Sequence, residues 1–322
     1  MSFRNVLLAI ASALLLSACG ASAGTAPVAG APARASGADA PSYKIYIANA
    51  GNNTITTYTS EGTQTSPTIQ TGTGSTDYLF AMAVGSSGKI YALNFDPLLG
   101  PGTSATVTTY KPDGTPTTPT ITIKEHGYSG PTGLAVDANG KIYVVSSTQN
   151  GSAGIVTTYN RDGRRTTPTV AAGPDSSSVT VDGNGKIYVT NDAGPPGKYS
   201  VTTYLSDGTP TTPTITREIH DPVGVAIAYD GTIFVANQTN NGYDGTEAGY
   251  VTSYSADGDG PLQRFKTRAG GPAAAAIDAN GKLFVAGSTA YRSIVKSYTS
   301  SGKRTTPTIT TGLFEPSGIA LH

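Results

Sequence analysis

Gly185-Lys186-Ile187-Tyr188-Val189-Thr190-Asn191 is the stretch that decides the fold. It recurs as Lys44-Ile45-Tyr46, Lys89-Ile90-Tyr91, Lys141-Ile142-Tyr143, Thr232-Ile233-Phe234 and Lys282-Leu283-Phe284. From Lys44 through Lys282, successive starts are spaced by 45, 52, 45, 46 and 50 residues (89−44, 141−89, 186−141, 232−186, 282−232). A repeat of about 40–50 residues with strand signals and no helix signals predicts a β-propeller. Alternation in Ile187-Tyr188-Val189 puts apolar groups on both faces, as a strand packed between two neighbouring sheets requires.

The complete unit is clearest from Pro131. Pro131-Thr132-Gly133-Leu134-Ala135-Val136 reads as a small-residue strand suited to crowding around an axis. Asp137-Ala138-Asn139-Gly140 is a tight turn, with Asn-Gly fitted to positive φ. Lys141–Ser146 is the second strand and Gly154–Tyr159 the third. Asn160–Gly163 makes another turn, and Arg164–Ala171 is the fourth strand. Pro168 has no N–H for a ladder, so the fourth strand belongs at the blade edge. Tyr58, Tyr110, Tyr159, Tyr204, Tyr254 and Tyr298 mark the third strands. Pro67, Pro119, Pro168, Pro213 and Pro307 mark the fourth, with a degenerate copy around Pro261.

Six second strands predict an all-β, six-bladed propeller of four-stranded blades over residues 43–322. No innermost strand precedes Tyr43, whereas Phe314–His322 supplies a spare one that matches Pro131–Val136. This C-terminal strand should therefore complete the first blade and close the ring, removing the exposed edges of an open array.

Residues 1–18 read as a signal peptide, with Arg4 ahead of an apolar run from Val6 to Leu16. The run is too short for a permanent bilayer span. Leu16-Ser17-Ala18-Cys19 resembles the bacterial lipobox, which implies a lipidated Cys19 with palmitate among its acyl chains, and Gly20 in place of an Asp after Cys19 implies, by the same resemblance, an outer-membrane address in the cell envelope. Cys19 is the single cysteine, so it makes no internal disulfide. Residues 19–42 supply the lipidated Cys and a tether of Ala, Gly, Pro and Ser that cannot bury enough apolar surface to fold alone.

The pattern Pro-x-Gly-x-Ala-x-Asp-x-x-Gly-x-Ile-Tyr-Val-x-Asn resembles the NHL-repeat propellers, whose relatives include streptogramin-lyase-like and gluconolactonase-like proteins. The resemblance is specific for fold and weak for activity, because these motifs are structural. Charged residues make up 13% of the chain, 21 basic against 21 acidic. That balance gives no basic footprint for nucleic acid.

Loops entering the innermost strands share one face with the loops joining second and third strands. That loop face gathers the candidate ligand-binding residues Glu125, His126, Arg217, Glu218, His220, Arg268 and Glu315 in a charge-poor protein. The opposite face carries short turns. No cofactor is expected, although a divalent metal at the channel mouth, held by residues such as His126 and His220, stays open. Glu315, Asn191 and Asp192 are of the residue types a gluconolactonase-like site uses, without a motif match. Asn49, Asn94, Asn191 and Asn237 end second strands and are expected to satisfy loop backbone.

The first functional reading is a monomeric, lipid-anchored, non-enzymatic module that binds an envelope protein or a small molecule through its loop face. A lyase or hydrolase of a small lactone or cyclic ester is the alternative, and a purely structural spacer is the third.

Overall fold

In the computed structural model, residues 22–23, 42–72, 77–96, 104–124, 128–148, 151–192, 199–238, 249–289 and 292–322 are described. Their strands form six antiparallel blades, each of four strands, around a central axis. From the first blade to the sixth, the innermost strands are Pro316–Leu321, Tyr78–Val84, Tyr128–Val136, Ser176–Val181, Pro222–Ile227 and Gly271–Ile277. The expected closure is present. Ile45 pairs with Leu321, Ile47 with Ile319 and Asn49 with Pro316, so the first blade is built from both ends of the propeller.

The reason for the repeat lies in what each residue touches. Second strands are buried along almost their whole length, as in Ile187–Asn191. Tyrosines ending third strands are buried, and some reach across to a neighbouring connection. Tyr58 Oη donates to the Thr311 carbonyl at 2.7 Å, and Tyr254 Oη to the Arg217 carbonyl at 2.6 Å. The Thr-Thr-Tyr pattern is more than β-propensity. Thr158 Oγ1 donates to the Pro168 carbonyl at 2.8 Å, and Thr203 Oγ1 to that of Pro213 at 2.8 Å. A hydroxyl thus covers the place where the ladder between third and fourth strands shifts register.

The fourth-strand prolines also join blade to blade. A methyl on Gly163, at φ 82°, would stand 2.7 Å from Pro119 Cβ of the preceding blade. The glycine therefore serves both the turn and the close approach. Where the proline position is degenerate, in the fifth blade, Phe265 packs against Gly302 instead. Phe265 also stacks on Tyr298 of the sixth blade, with ring centroids 5.1 Å apart.

Within the segment expected to be a tether, two described residues form an element that composition does not predict. Ser22–Ala23 forms a short strand that pairs in parallel with Pro222–Ile227, Ser22 opposite Gly224 and Ala23 opposite Val225. It lies within reach of the innermost strands of all six blades, which places it on the axis. Cys19 and the remainder of residues 1–41 lie outside the described residues. No helix among the described residues is long and apolar enough to cross a membrane.

Candidate functional site

Each fourth strand ends at the rim of the loop face, and the chain then runs inward to the next innermost strand. Five residues in these connections have left-handed backbone: Asp175, Glu218, Asp221, Arg268 and Glu315, with φ between 44° and 57°. Left-handed non-glycine residues are uncommon and cluster where a structure holds side chains in fixed directions.

Buried asparagines hold these connections, as their position at strand ends suggests. Asn237 Oδ1 accepts from His220 N at 3.0 Å and Asn49 Oδ1 from Phe314 N at 2.9 Å. Asn191 Oδ1 accepts from Ser176 Oγ at 2.9 Å. Their amide nitrogens donate to third-strand threonines, Asn191 to Thr202 and Asn237 to Thr252, both at 3.0 Å. These asparagines are therefore buried staples.

At the junction of the fourth and fifth blades the connections bring together an acidic and aromatic cluster. Asp192 follows the second strand of the fourth blade, and its N–H donates to the Asp175 carbonyl at 3.0 Å. The Asp192 carboxyl shares a hydrogen bond with the Asp221 carboxyl, which enters the fifth blade. Burial first, then the charge of Asp192 and the hydrogen bond between them, pushes Asp221 up to about 7. Two close carboxylates cannot both ionise cheaply, so Asp221 keeps its proton up to about neutrality. Burial, followed by the charge of Asp192, also raises Asp175.

Aromatic rings border this pair. Burial raises the Tyr199 hydroxyl, helped by the charges of Asp192 and Asp221. The His220 ring lies between Tyr199 and Tyr250, at centroid distances of 6.0 Å and 6.3 Å. His220 itself is exposed, while Tyr199 and Tyr250 are buried. The Arg264 guanidinium lies over the Tyr250 ring, 4.3 Å from its centroid, and pairs with Glu218 at 2.8 Å. The Tyr250 hydroxyl is buried without a hydrogen-bond partner.

Among the sequence candidates, Glu218 and His220 thus join one cluster. Arg217, Arg268 and Glu315 do not form one set with them. Arg217 is exposed and contributes its carbonyl to Tyr254. Arg268 lies on the next connection, where Lys296 Nζ donates to its carbonyl. Glu315 lies on the connection closing the ring, its N–H donating to Ser293 Oγ at 2.9 Å. The charges are spread over three successive blade junctions because each connection repeats at one blade interval. Glu125 and His126 lie outside the described residues, so a His126–His220 metal pair is not placed. Among the described residues, no group of three or more His, Cys, Asp or Glu is arranged to hold a metal ion.

Sequence reasoning passed over Tyr199, Tyr250 and Arg264, and named Asp192 only by type. The available signal was an acid immediately before the innermost strand, at Asp77, Asp175, Asp221 and Glu315, with a further acid just past the second strand at Asp96 and Asp192. The turn face is also less closed than its short turns suggest. A cavity of about 520 Å³ opens there between the second and third blades, lined by Lys89, Tyr91, Asn139, Arg161 and Asp162.

The fold and this face define a six-bladed propeller with its irregular connections on one side. No family model matches the chain, and no curated protein matches it. Similar solved structures include a streptogramin B lyase, at TM-score 0.56 and 14% identity over 94% of this chain and 87% of that one. Virginiamycin B lyase from Staphylococcus aureus is similar at TM-score 0.55 and 16% identity, covering 85% of this chain and 84% of the other. TolB from Acinetobacter baumannii is similar at 0.58 and 12% identity, covering 87% of this chain and 66% of its own. At these identities the likeness is one of fold.

Proposed function

We propose that this propeller is a lipid-anchored binding module of the bacterial cell envelope, and that it holds its ligand in the loop-face cleft between the fourth and fifth blades. The observation that carries the reading is the partly buried Asp221 carboxyl facing Asp192 beside His220, Tyr199 and Tyr250. Carboxyls kept partly out of water are unfavourable for stability and gain most from a cationic or hydrogen-bond-donating ligand. The exposed His220 ring, seated between the buried Tyr199 and Tyr250 rings, offers a flat face to the body of such a ligand. The anchor on Cys19 rests on Leu16-Ser17-Ala18-Cys19, and the outer-membrane address on Gly20 in place of an Asp after it.

The turn-face cavity is a weaker site because its parts repeat. Lys89 Nζ lies over Tyr91 and Lys141 Nζ over Tyr143, at 5.9 Å and 5.5 Å from the ring centroids. Both lysines donate to fourth-strand carbonyls, those of Thr118 and Thr167. A feature present at several junctions serves blade packing first.

The test is photo-crosslinking in envelope preparations, with the crosslinking side chain at His220 or at Tyr229, which is 81% exposed on the turn face. Specific products from position 220, lost in Asp221→Asn, support the cleft. Products from position 229 alone would refute it.

A second reading, a lyase or hydrolase of a small lactone or cyclic ester, is favoured by one observation. A carboxyl near 7 next to a histidine suits acid–base chemistry at neutral pH. Turnover of a lactone panel, abolished by Asp221→Asn, would establish it.

A further inference from the structure

Lysine over tyrosine is shared by several turn-face junctions, but the cavity of about 520 Å³ between the second and third blades opens where the repeat is broken on both sides. The first break is Gly85. Gly85, Asp137, Asp182 and Asp278 hold the same place, each donating its N–H to the carbonyl four residues on. Asp137 Oδ1 accepts from Asn139 N and Lys141 N, both at 2.9 Å, and Asp182 and Asp278 do the same at their own turns. Asp137 and Asp182 also accept from the tyrosines of their second strands, Tyr143 and Tyr188, at 3.2 Å. Gly85 brings no carboxylate to Tyr91, and the space stays open. A methyl on Gly85 would stand 3.5 Å from Tyr91 and 3.6 Å from Val136, which are ordinary contacts, so crowding does not explain the glycine.

The second break is Arg161. The residue lying against the inner-turn glycine is Pro112 in the second blade, Ser206 in the fourth and Ala256 in the fifth. In the third blade it is Arg161, whose Cβ would be 3.3 Å from a methyl on Gly140. Arg161 is exposed, and its guanidinium forms no ion pair among the described residues. Lys89 is half-buried and its Nζ donates to the Thr118 carbonyl, which leaves two of the three ammonium hydrogens for another acceptor. This junction therefore lacks a carboxylate that its neighbours have and carries a guanidinium that they do not. Asp162 is the one acid lining the cavity.

We propose that this cavity binds an organic oxyanion of monosaccharide size, a sugar that carries a phosphate or a carboxylate. Lys89 and Arg161 take the anionic group, the guanidinium as a planar fork for two oxygens. A cavity of about 520 Å³ has the size of a small-molecule site and exceeds what a bare anion fills. The remaining lining is mostly hydrogen-bonding. Ser86 and Ser87 offer exposed hydroxyls and Asn139 an exposed amide. Ser86 Oγ donates to the Ala138 carbonyl at 3.0 Å and keeps its acceptor lone pairs. A second cavity, of about 490 Å³, shares Asn139, Arg161 and Asp162 with the first and adds Lys141. A body of several hydroxyls therefore finds partners on both sides of Arg161.

Surface charge alone does not make the site. Lys141 and Lys186 carry the same charge as Lys89, but their turns hold Asp137 and Asp182, which repel an oxyanion at the place where Gly85 admits one. The cavity lies at the turns, and the acidic cleft lies at the opposite end of the blades. The two sites therefore take ligands of opposite charge and stand or fall separately.

Calorimetric titration of the full chain at low salt tests this, with glucose 6-phosphate, glucuronate and glucose as probes. At least one of the two anions should bind, and glucose at least about tenfold more weakly, the scale of one charge-assisted hydrogen bond. The anion that binds better shows whether phosphate or carboxylate is the group recognised. Gly85→Asp gives the second blade the turn residue of the third, fourth and sixth. It should keep the melting temperature and weaken anion binding at least about tenfold. Arg161→Ser, which matches Ser206 of the fourth blade, should do the same. Lys186→Thr removes a like charge from a turn that keeps Asp182 and should leave the affinity within about twofold, since exposed charges at a distance are screened. No binding of either anion, glucose binding as tightly as they do, or equal losses in all three variants would overturn the proposal. Phenylglyoxal gives a readout without any substitution. The bound anion should slow modification of Arg161 severalfold and leave that of the exposed Arg164 unchanged, as read by peptide mapping. Equal slowing of both, or of neither, refutes the site.

Discussion

Replacing Asp221 with Asn should stabilise the protein at neutral pH and remove its ligand. The Asp221 carboxyl lies at about 7 against an ordinary 3.8 because it is partly buried and faces Asp192. A carboxyl whose folded pKa exceeds its unfolded one binds more protons folded than unfolded between those values. Stability therefore falls as pH rises from about 4 to about 7 and is level above that. A rise of about 3 units at about 1.36 kcal/mol each sets a ceiling of about 4 kcal/mol. Residual solvation and relaxation of the pair should reduce this to about 2 kcal/mol. Asn tolerates the left-handed backbone at this position and can still donate to Asp192. Urea unfolding at pH 4, 6 and 8 measures the effect. The variant and the natural chain should coincide at pH 4 and separate progressively toward pH 8, with the variant the more stable by about 2 kcal/mol. Curves that stay parallel at all three pH values, or a variant less stable at pH 8, would refute the picture of an Asp221 carboxyl that keeps its proton beside Asp192.

Other outcomes follow from features already described. Cys19→Ser should release the protein from membranes, and persistent partitioning in detergent extraction contradicts the anchor. Removing Ser317–His322 takes Ile319 and Ala320 out of the core and unpairs Ile45 and Ile47, at a cost of several kcal/mol from a typical total of roughly 5–15; an unchanged melting temperature contradicts closure. Gly163→Ala forces a methyl against Pro119 at positive φ and should lower stability by about 1–3 kcal/mol in chemical denaturation. Arg217→Ala removes an exposed side chain whose backbone does the bonding, so thermal unfolding should shift by the equivalent of about 0–1 kcal/mol or less.

The blade count, strand order and closing strand were legible because each is written several times over in the sequence. Lys-Ile-Tyr, Asp-x-Asn-Gly and Thr-Pro-Thr answer to local rules of burial, turn geometry and edge position. The cluster at the fourth and fifth blades was not legible for the opposite reason. Asp192 and Asp221 are 29 residues apart (221−192), and each looks like an ordinary loop acid. Their meeting depends on the angle between two blades. Arg217 and Arg268, also chosen by type, lie on two successive connections, where their carbonyls accept from Tyr254 and Lys296. The strand at Ser22–Ala23 was hidden by composition, since small residues that cannot fold alone are those a narrow channel admits.

The seam in the first blade has a bearing on how the protein is made. Phe314 reaches Asn49 across 265 residues of chain, and no nearer segment supplies the missing strand. Synthesis delivers the chain in order, so five blades can assemble while the first still shows an unpaired inner edge. Long-range pairing of this kind is slow, and open strand edges invite association with other chains. The interval between arrival of the first blade and arrival of its last strand is therefore the period in which this propeller most needs protection. A pause in translation near residue 310 would extend that interval without altering a single native contact.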